Sequence, residues 1–157
     1  MNLLAAHTIE LLVDVRRWPV SKRHSQFRRE ALAALVESRG IDYIWRGDLG
    51  GFRQPGRDSP NGAWKVGAFR GYADFMLTPE FDAIMKEMEA LAENKRLAIM
   101  CAEAVPWRCH RQLLADALLV RGFPARHILD DGCHAHRLPP FARPKGKKIF
   151  YPVTNGI

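Results

Sequence analysis

The chain has 157 residues, of which 47% are hydrophobic and 26% are charged, and this is typical of one globular domain with its own core. No apolar run approaches membrane-spanning length, and the first residues lack a basic leader with a cleavage site, so we expect a cytoplasmic protein without a membrane partner. Three cysteines fit free thiols in a reducing compartment, and the net charge of +7 favours anionic ligands or nucleic acid.

The first predicted elements are two strands separated by a helix. Residues 9–15 form a compact apolar run with a β-branched bias, which predicts a buried strand. Apolar residues at helical spacing follow and end at Gly40, after which residues 41–45 predict a second strand. Residues 46–71 are rich in glycine and in basic side chains. A structureless stretch of this length is usually functional, so we expect a loop that closes over a site.

The second half of the chain continues the alternation of helix and strand. It predicts helices over 72–77, from Thr78 to about Leu91 and from about Arg108 to Gly122, and strands over 97–101 and 125–129. The fold class expected is α/β: a three-layer, open, mainly parallel sheet with helices on both faces. We assign residues 1–130 to one domain, and residues 131–157 to a mobile or surface-hugging C-terminal extension.

Polar residues follow each of the four predicted strands. Ligands of open parallel sheets bind beyond the carboxyl ends of the strands, so these residues are expected at one edge. After the first and second strands they are Asp14, Arg16, Arg17, Asp48, Gly50, Gly51 and Arg53. After the third and fourth strands they are Cys101, Glu103, Arg108, Cys109, His110, Arg111, Asp130, Asp131 and His134.

The start of the helix at Cys109 is the strongest candidate for chemistry. The first N–H groups of a helix bind anions, and a cysteine placed there beside basic residues is biased toward the thiolate. We therefore predict a pocket in which Cys109 is a nucleophile and Glu103 and His110 handle protons. Asp14, Arg16, Arg17, Cys101, Arg108 and Arg111 are expected to line it and hold the anion. Purely structural roles stay open for two of these residues. Cys101 also suits the buried end of a strand, and Glu103 could form a surface ion pair.

A metal site is the main chemical alternative. Its candidate ligands are Cys101, Cys109, His110, Cys133, His134 and His136. None of their spacings is that of a structural zinc site, so we expect neither a metal nor another cofactor.

Several motifs together resemble the bacterial and archaeal family called domain of unknown function 488. They are LLVDVRRWPVSKRHSQF, LGGFR, FRGYADFM and CAEAVPWRCHRQLLADAL, and the resemblance runs from about residue 9 to residue 128. It implies a cytoplasmic α/β protein without a settled activity. The polar positions of the family correspond here to Asp14, Arg16, Cys101, Glu103, Cys109, His110 and Arg111, with Ser21 and Phe27 in the loop after the first strand.

The beginning of the chain departs from this family. Members usually open with a strand and a Gly-His-Ser turn before a helix, whereas MNLLAAHT resembles only the end of that helix. A missing strand would weaken the pocket or leave a bare sheet edge, so we expect a raised tendency to form a homodimer.

Three hypotheses for function stay open at this point. The first is a thiol-dependent enzyme that acts on an anionic substrate, with Arg16, Arg17 and Arg111 as the anion clamp. The second is a nucleic-acid-associated protein that uses the basic residues around 16–29 and stacks bases on Trp18 and Trp64. The third is a metal or ligand sensor without catalysis. Whether the protein is an enzyme is not decided by the sequence.

Overall fold

Three short parallel strands form one sheet of this mixed α/β protein, whose structure, a computed structural model, describes residues 2–154. The strands are β1 (Leu11–Asp14), β2 (Asp42–Trp45) and β3 (Leu97–Met100), in the order β2–β1–β3. The register aligns Asp14 with Trp45 and with Met100. The carboxyl ends of the three predicted strands therefore meet at one edge, as expected.

The helices around this sheet follow the predicted apolar spacing. β1 is buried at all four positions because it is the central strand. Leu32 and Val36, one turn apart on α2 (Arg29–Glu37), join a buried cluster that includes Leu12 and Ile41. Each such side chain contributes about 1.5–3 kcal/mol by leaving water. Leu4 of the short helix α1 (Asn2–Ala6) packs against the same cluster.

The chain divides into two compact units. Unit 1 runs to Gly50 and includes Glu87–Ala104, so that it contains the parallel sheet; unit 2 comprises Gly51–Lys86 and the chain from Val105 onward. The remaining elements are the helices α3 (Gly67–Phe75), α4 (Pro79–Asn94) and α5 (Arg111–Val120), and the strands β4 (Arg126–Leu129), β5 (Gly132–Ala135), β6 (Arg143–Lys145) and β7 (Lys148–Phe150). No helix among residues 2–154 has the length and apolar character to cross a membrane.

The fourth predicted strand forms, but it is not part of the parallel sheet. β4 pairs antiparallel with β5, and Leu129 lies opposite Gly132. The turn between them is tight, and Gly132 has a φ of +140° that other residues rarely adopt. Placing β4 in the parallel sheet was wrong, and Asp130, Asp131 and His134 therefore belong to a hairpin of unit 2 instead of following a strand of that sheet. The three-layer arrangement stays a prediction.

The C-terminal segment is packed as far as Tyr151. β6 and β7 form a hairpin, and Ile149 and Tyr151 are almost completely buried. The backbone N–H of Tyr151 donates to Asn61 Oδ1 at 2.9 Å. The segment predicted to be mobile or to hug the surface thus supplies core residues to unit 2.

The glycine-rich loop is ordered around one carboxylate. α3 begins at Gly67, five residues before the predicted start, and Asp74 of that helix accepts three hydrogen bonds from the loop. Their donors are the backbone N–H of Gly56 at 2.9 Å, Ser59 Oγ at 2.6 Å and Asn61 Nδ2 at 2.8 Å. The part of the loop in unit 2 is therefore built into the fold.

Candidate functional site

A proline-led turn brings Cys109 to the start of α5. Val105 is extended, as a residue before proline prefers, and Pro106 opens a single 3₁₀ turn. The turn closes when the N–H of Cys109 donates to the carbonyl of Pro106 at 3.0 Å, and Gln112 then donates to the carbonyl of Cys109 at 3.1 Å. His110 is the N-cap and Arg111 the first residue of α5. The helix start predicted from the sequence is confirmed to within a few residues.

Two basic side chains contact the sulfur of Cys109. Arg111 Nε donates to Cys109 Sγ at 3.4 Å, and His110 Nδ1 lies 3.6 Å from the same sulfur. Cys109 is only 4% exposed. A neighbouring guanidinium stabilises a thiolate, whereas burial away from water opposes the charged form. The cluster of Cys109, His110 and Arg111 is called the Cys109 site below.

The imidazole of His110 is held in place by its neighbours. Its ring lies against that of Tyr72, with centroids 5.1 Å apart. A Cβ on Gly51 would lie 3.0 Å from His110 Nδ1, so a side chain at this position would press on the imidazole ring. Nε2 on the other side of the ring is buried and finds no hydrogen-bond partner among the described residues. Buried polar atoms rarely stay unpaired, so this nitrogen is suited to a ligand.

Asp14 and Arg16, predicted for the same pocket, form a buried ion pair in unit 1. Arg16 Nε and its terminal NH2 group donate to Asp14, the latter at 2.6 Å, and its other terminal nitrogen donates to the carbonyl of Phe27 at 2.7 Å. Tyr43 also donates to Asp14, at 2.6 Å. The hydrogen bond with Asp14 raises the pKa of Arg16 against the opposing effect of burial. Burial, followed by the interaction with Asp14, raises the pKa of Tyr43. Arg16 is thus engaged in fixing the end of β1.

The other predicted site residues lie in both units. Cys101 and Glu103 follow β3 in unit 1, where the exposed Glu103 accepts a hydrogen bond from the N–H of Ala104 at 2.9 Å. Arg17, also in unit 1, is exposed, and its guanidinium lies 5.4 Å from the ring of Trp18. Arg108 is an exposed residue of the turn before Cys109 in unit 2.

The side chains of the CHAH segment contact partners other than a metal. Arg126 donates to Cys133 Sγ at 3.2 Å, and His134 lies 3.0 Å from Asp131. In unit 2, Cys109 and His110 are adjacent potential metal ligands, with Cys109 Sγ 3.6 Å from His110 Nδ1.

Sequence analysis missed a buried polar chain in unit 2. Asp116, in the middle of α5, contacts both His136 and Tyr151 at 2.6 Å, and His136 contacts His127 at 2.9 Å. One signal could have revealed it, because Asp116 interrupts the apolar run of α5 and a buried carboxylate requires partners.

Comparison with known proteins gives one match. The family model described as Domain of unknown function DUF488 matches residues 1–118, which include the whole Cys109 site and Asp116. No curated protein matches the chain, and neither does any solved structure.

Proposed function

Because the chain belongs to the DUF488 family, a domain of unknown function, we propose a function from its own side chains: unit 2 binds an oxyanion beside a thiolate at Cys109. The observation that carries this proposal is the pair of contacts on the sulfur, from Arg111 Nε at 3.4 Å and from His110 Nδ1 at 3.6 Å. Guanidinium groups are well suited to oxyanions, and the buried Nε2 of His110 suits a ligand.

This arrangement supports thiol chemistry on an anionic substrate. In the proposed step, the Cys109 thiolate forms a bond to an electrophilic centre of the substrate while the bond from that centre to a leaving group breaks. Arg111 stabilises the negative charge that develops on the substrate, and His110 exchanges a proton with the leaving group. The proposed roles of Glu103 as a proton handler and of Arg17 and Arg108 as further anion contacts stay predictions. Arg16 is assigned a positioning role, since its guanidinium is bound to Asp14.

The test is alkylation of Cys109 in a Cys101→Ser, Cys133→Ser background, with and without sulfate. We expect sulfate to slow the labelling, because it occupies the space beside Arg111. Arg111→Gln should lower the thiolate fraction by about tenfold, equivalent to about 1.4 kcal/mol, and should remove the effect of sulfate. Arg126→Gln is the matched control, because it removes an arginine that contacts the sulfur of Cys133 and it should leave the labelling of Cys109 unchanged. Labelling that ignores both sulfate and Arg111→Gln would refute the proposal.

A nucleic-acid surface is the second candidate, and exposed aromatic residues in unit 1 favour it. Trp18 is 62% exposed and Phe27 46% exposed, in a segment rich in basic residues. Bases stack on such rings while cations contact the phosphates. Trp64, predicted to stack on bases, is instead packed edge-on against Phe69, Phe141 and Tyr151.

Binding of single-stranded DNA near ~50 mM salt tests this second candidate, because electrostatic binding is strongest at low salt. Trp18→Ala should weaken the binding, whereas Trp107→Ala, which removes a tryptophan of similar exposure in unit 2, should leave it unchanged. Undetectable binding of the unmodified chain would exclude this function.

A further inference from the structure

One aromatic residue of unit 2 combines an exposed ring with an unusual backbone conformation. Phe52 is 74% exposed and has a φ of +61°. A bulky residue rarely adopts this left-handed conformation, because it is strained and persists only where the surrounding structure enforces it. Such residues are concentrated at functional sites. A ring that is mostly in solvent gains little from burial, so burial does not explain why a phenylalanine occupies this position.

Contacts on both sides hold the backbone of Phe52 in place. On one side, a Cβ at Gly51 would lie 3.0 Å from His110 Nδ1, so the backbone there lies close to the imidazole ring. On the other side, a Cβ at Gly71 of α3 would clash with the carbonyl oxygen of Arg53, so the helix packs directly on the backbone that follows. The strained residue is therefore fixed between His110 and α3.

The same contacts place Phe52 next to the Cys109 site. Its Cα lies one residue, about 3.8 Å, from the Cα of Gly51, and His110 Nδ1 lies 3.6 Å from Cys109 Sγ. His110 is only 8% exposed, and its Nε2 finds no hydrogen-bond partner within the part of the chain that the structure describes. Only Gly51 and the imidazole of His110 thus separate the residue that carries the exposed ring from the sulfur of Cys109.

We propose that Phe52 is the surface on which an aromatic part of the substrate stacks while its oxyanion binds at the Cys109 site. The inference rests on the proposed function, because the oxyanion must bind beside Arg111. It adds a substrate class, namely oxyanions joined to an aromatic ring, such as aryl esters of phosphoric or sulfuric acid. A ring on a fixed backbone has less conformational freedom to lose when the substrate binds.

An aromatic group fits this position better than an aliphatic or a cationic one. The ring of Phe52 offers flat faces to the solvent, and another flat ring stacks on such a face in an offset arrangement. Aliphatic groups are instead bound by pockets that enclose them. A cation also binds to the face of a ring, but here the guanidinium of Arg111, which donates to Cys109 Sγ, opposes a second positive charge.

Anions that differ only in their organic group test this inference in the Cys101→Ser, Cys133→Ser chain. Methanesulfonate, cyclohexanesulfonate and benzenesulfonate carry the same charged group, and each is titrated against the rate of Cys109 alkylation. We expect benzenesulfonate to protect Cys109 at a concentration about threefold to tenfold lower than cyclohexanesulfonate, because an aromatic pair gains this much beyond the burial of apolar area. Methanesulfonate should protect least.

Substitutions at Phe52 separate the effect of the ring from that of the backbone. Phe52→Asn removes the ring, and asparagine tolerates the left-handed conformation. This variant should lose the preference for benzenesulfonate while methanesulfonate still protects Cys109. Phe52→Tyr keeps an aromatic ring and should keep the preference. Val153→Asn is the matched control, because Val153 is an apolar residue of unit 2 with 55% exposure, and it should leave the preference unchanged.

The possible failures are distinguishable. Equal protection by benzenesulfonate and cyclohexanesulfonate, measured with Phe52 in place, overturns the role of Phe52 and leaves the anion site standing. A preference for benzenesulfonate that survives Phe52→Asn has the same consequence. Absence of protection by all three sulfonates and by sulfate overturns the proposed function and this inference together.

Discussion

The two cysteines of unit 2 each contact an arginine, but they differ in their exposure to solvent. Arg111 donates to Cys109 Sγ and Arg126 donates to Cys133 Sγ, at 3.4 and 3.2 Å. Cys109 is buried, whereas Cys133 is half-buried beside an exposed arginine. The same charge acts more strongly where water is excluded, and at the surface solvent and salt screen it. We therefore expect Cys109 to be the more reactive thiol, provided that the reagent reaches it.

A single methyl group at Gly51 tests how strongly the position of His110 matters. Gly51→Ala would place a Cβ 3.0 Å from His110 Nδ1, so the imidazole must shift. We expect slower alkylation of Cys109 and a loss of about 1–3 kcal/mol in stability, the usual result of overpacking. Gly67→Ala is the control, since a Cβ there has no atom within 4 Å. Equal labelling rates in the two variants would contradict the role given to His110.

The buried ion pair at the end of β1 predicts a large loss of stability. Asp14→Asn removes the negative charge that pairs with Arg16. The carboxylate that carries this charge also accepts a hydrogen bond from Tyr43. We expect the free energy of unfolding to fall by about 3–5 kcal/mol, because a buried guanidinium is left uncompensated. Asp42→Asn removes an exposed carboxylate that pairs with Lys95 and should cost less than about 1 kcal/mol. Urea unfolding measures both, and losses of similar size would contradict this account.

At the scale of whole elements, the glycine-rich loop depends on one side chain of α3. Asp74→Ala removes the acceptor for Gly56, Ser59 and Asn61. Amide hydrogen exchange should then accelerate in residues 55–62 while β1 to β3 keep their protection. Asp58→Ala, at an exposed position of the same loop, should change little. Protection that persists in the loop without Asp74 would show that other contacts hold it.

Helices and strands whose apolar residues repeat at a regular spacing were predictable from the sequence. Strands made mainly of polar or basic residues were not. The runs that became β1 to β3 and the amphipathic helix α5 stand out in the sequence, and all four form. β5 consists of Gly132, Cys133, His134 and Ala135, which show no alternation, so β4 was assigned to the wrong sheet. β6 and β7 were missed in a basic, proline-containing segment. Their pairing comes from a turn at Gly146, whose φ is +61°, and from the burial of Ile149.

The candidate site was predictable only where neighbours in sequence are neighbours in space. The contacts of Cys109 with His110 and Arg111 are local and follow from the helix start. The contacts of Asp116 with His136 and Tyr151, and of His136 with His127, join residues that are far apart in the chain. Such contacts depend on tertiary packing, which a local pattern does not contain.

For the molecule as a whole, the half-buried His127 predicts that stability depends on pH. The pKa of His127 is lowered in the folded protein, so the unfolded chain binds more protons near the ordinary histidine pKa of about 6.5. Protonation then favours unfolding, and His127 should reduce stability as the pH falls from about 7 toward its lowered folded pKa. Urea unfolding at several pH values should show this loss, and His127→Gln should reduce it. A pH profile unchanged by His127→Gln would contradict the assignment.

The central claim is that Cys109 carries a thiolate inside an anion-binding site. Its most direct test is the pH dependence of Cys109 alkylation in the Cys101→Ser, Cys133→Ser chain. We predict half-maximal labelling at a pH well below ~8.5, the value of a free thiol, with a rate that sulfate lowers. A midpoint at or above that value, with a rate indifferent to sulfate, would contradict the claim and leave Cys109 as a packing residue at the start of α5.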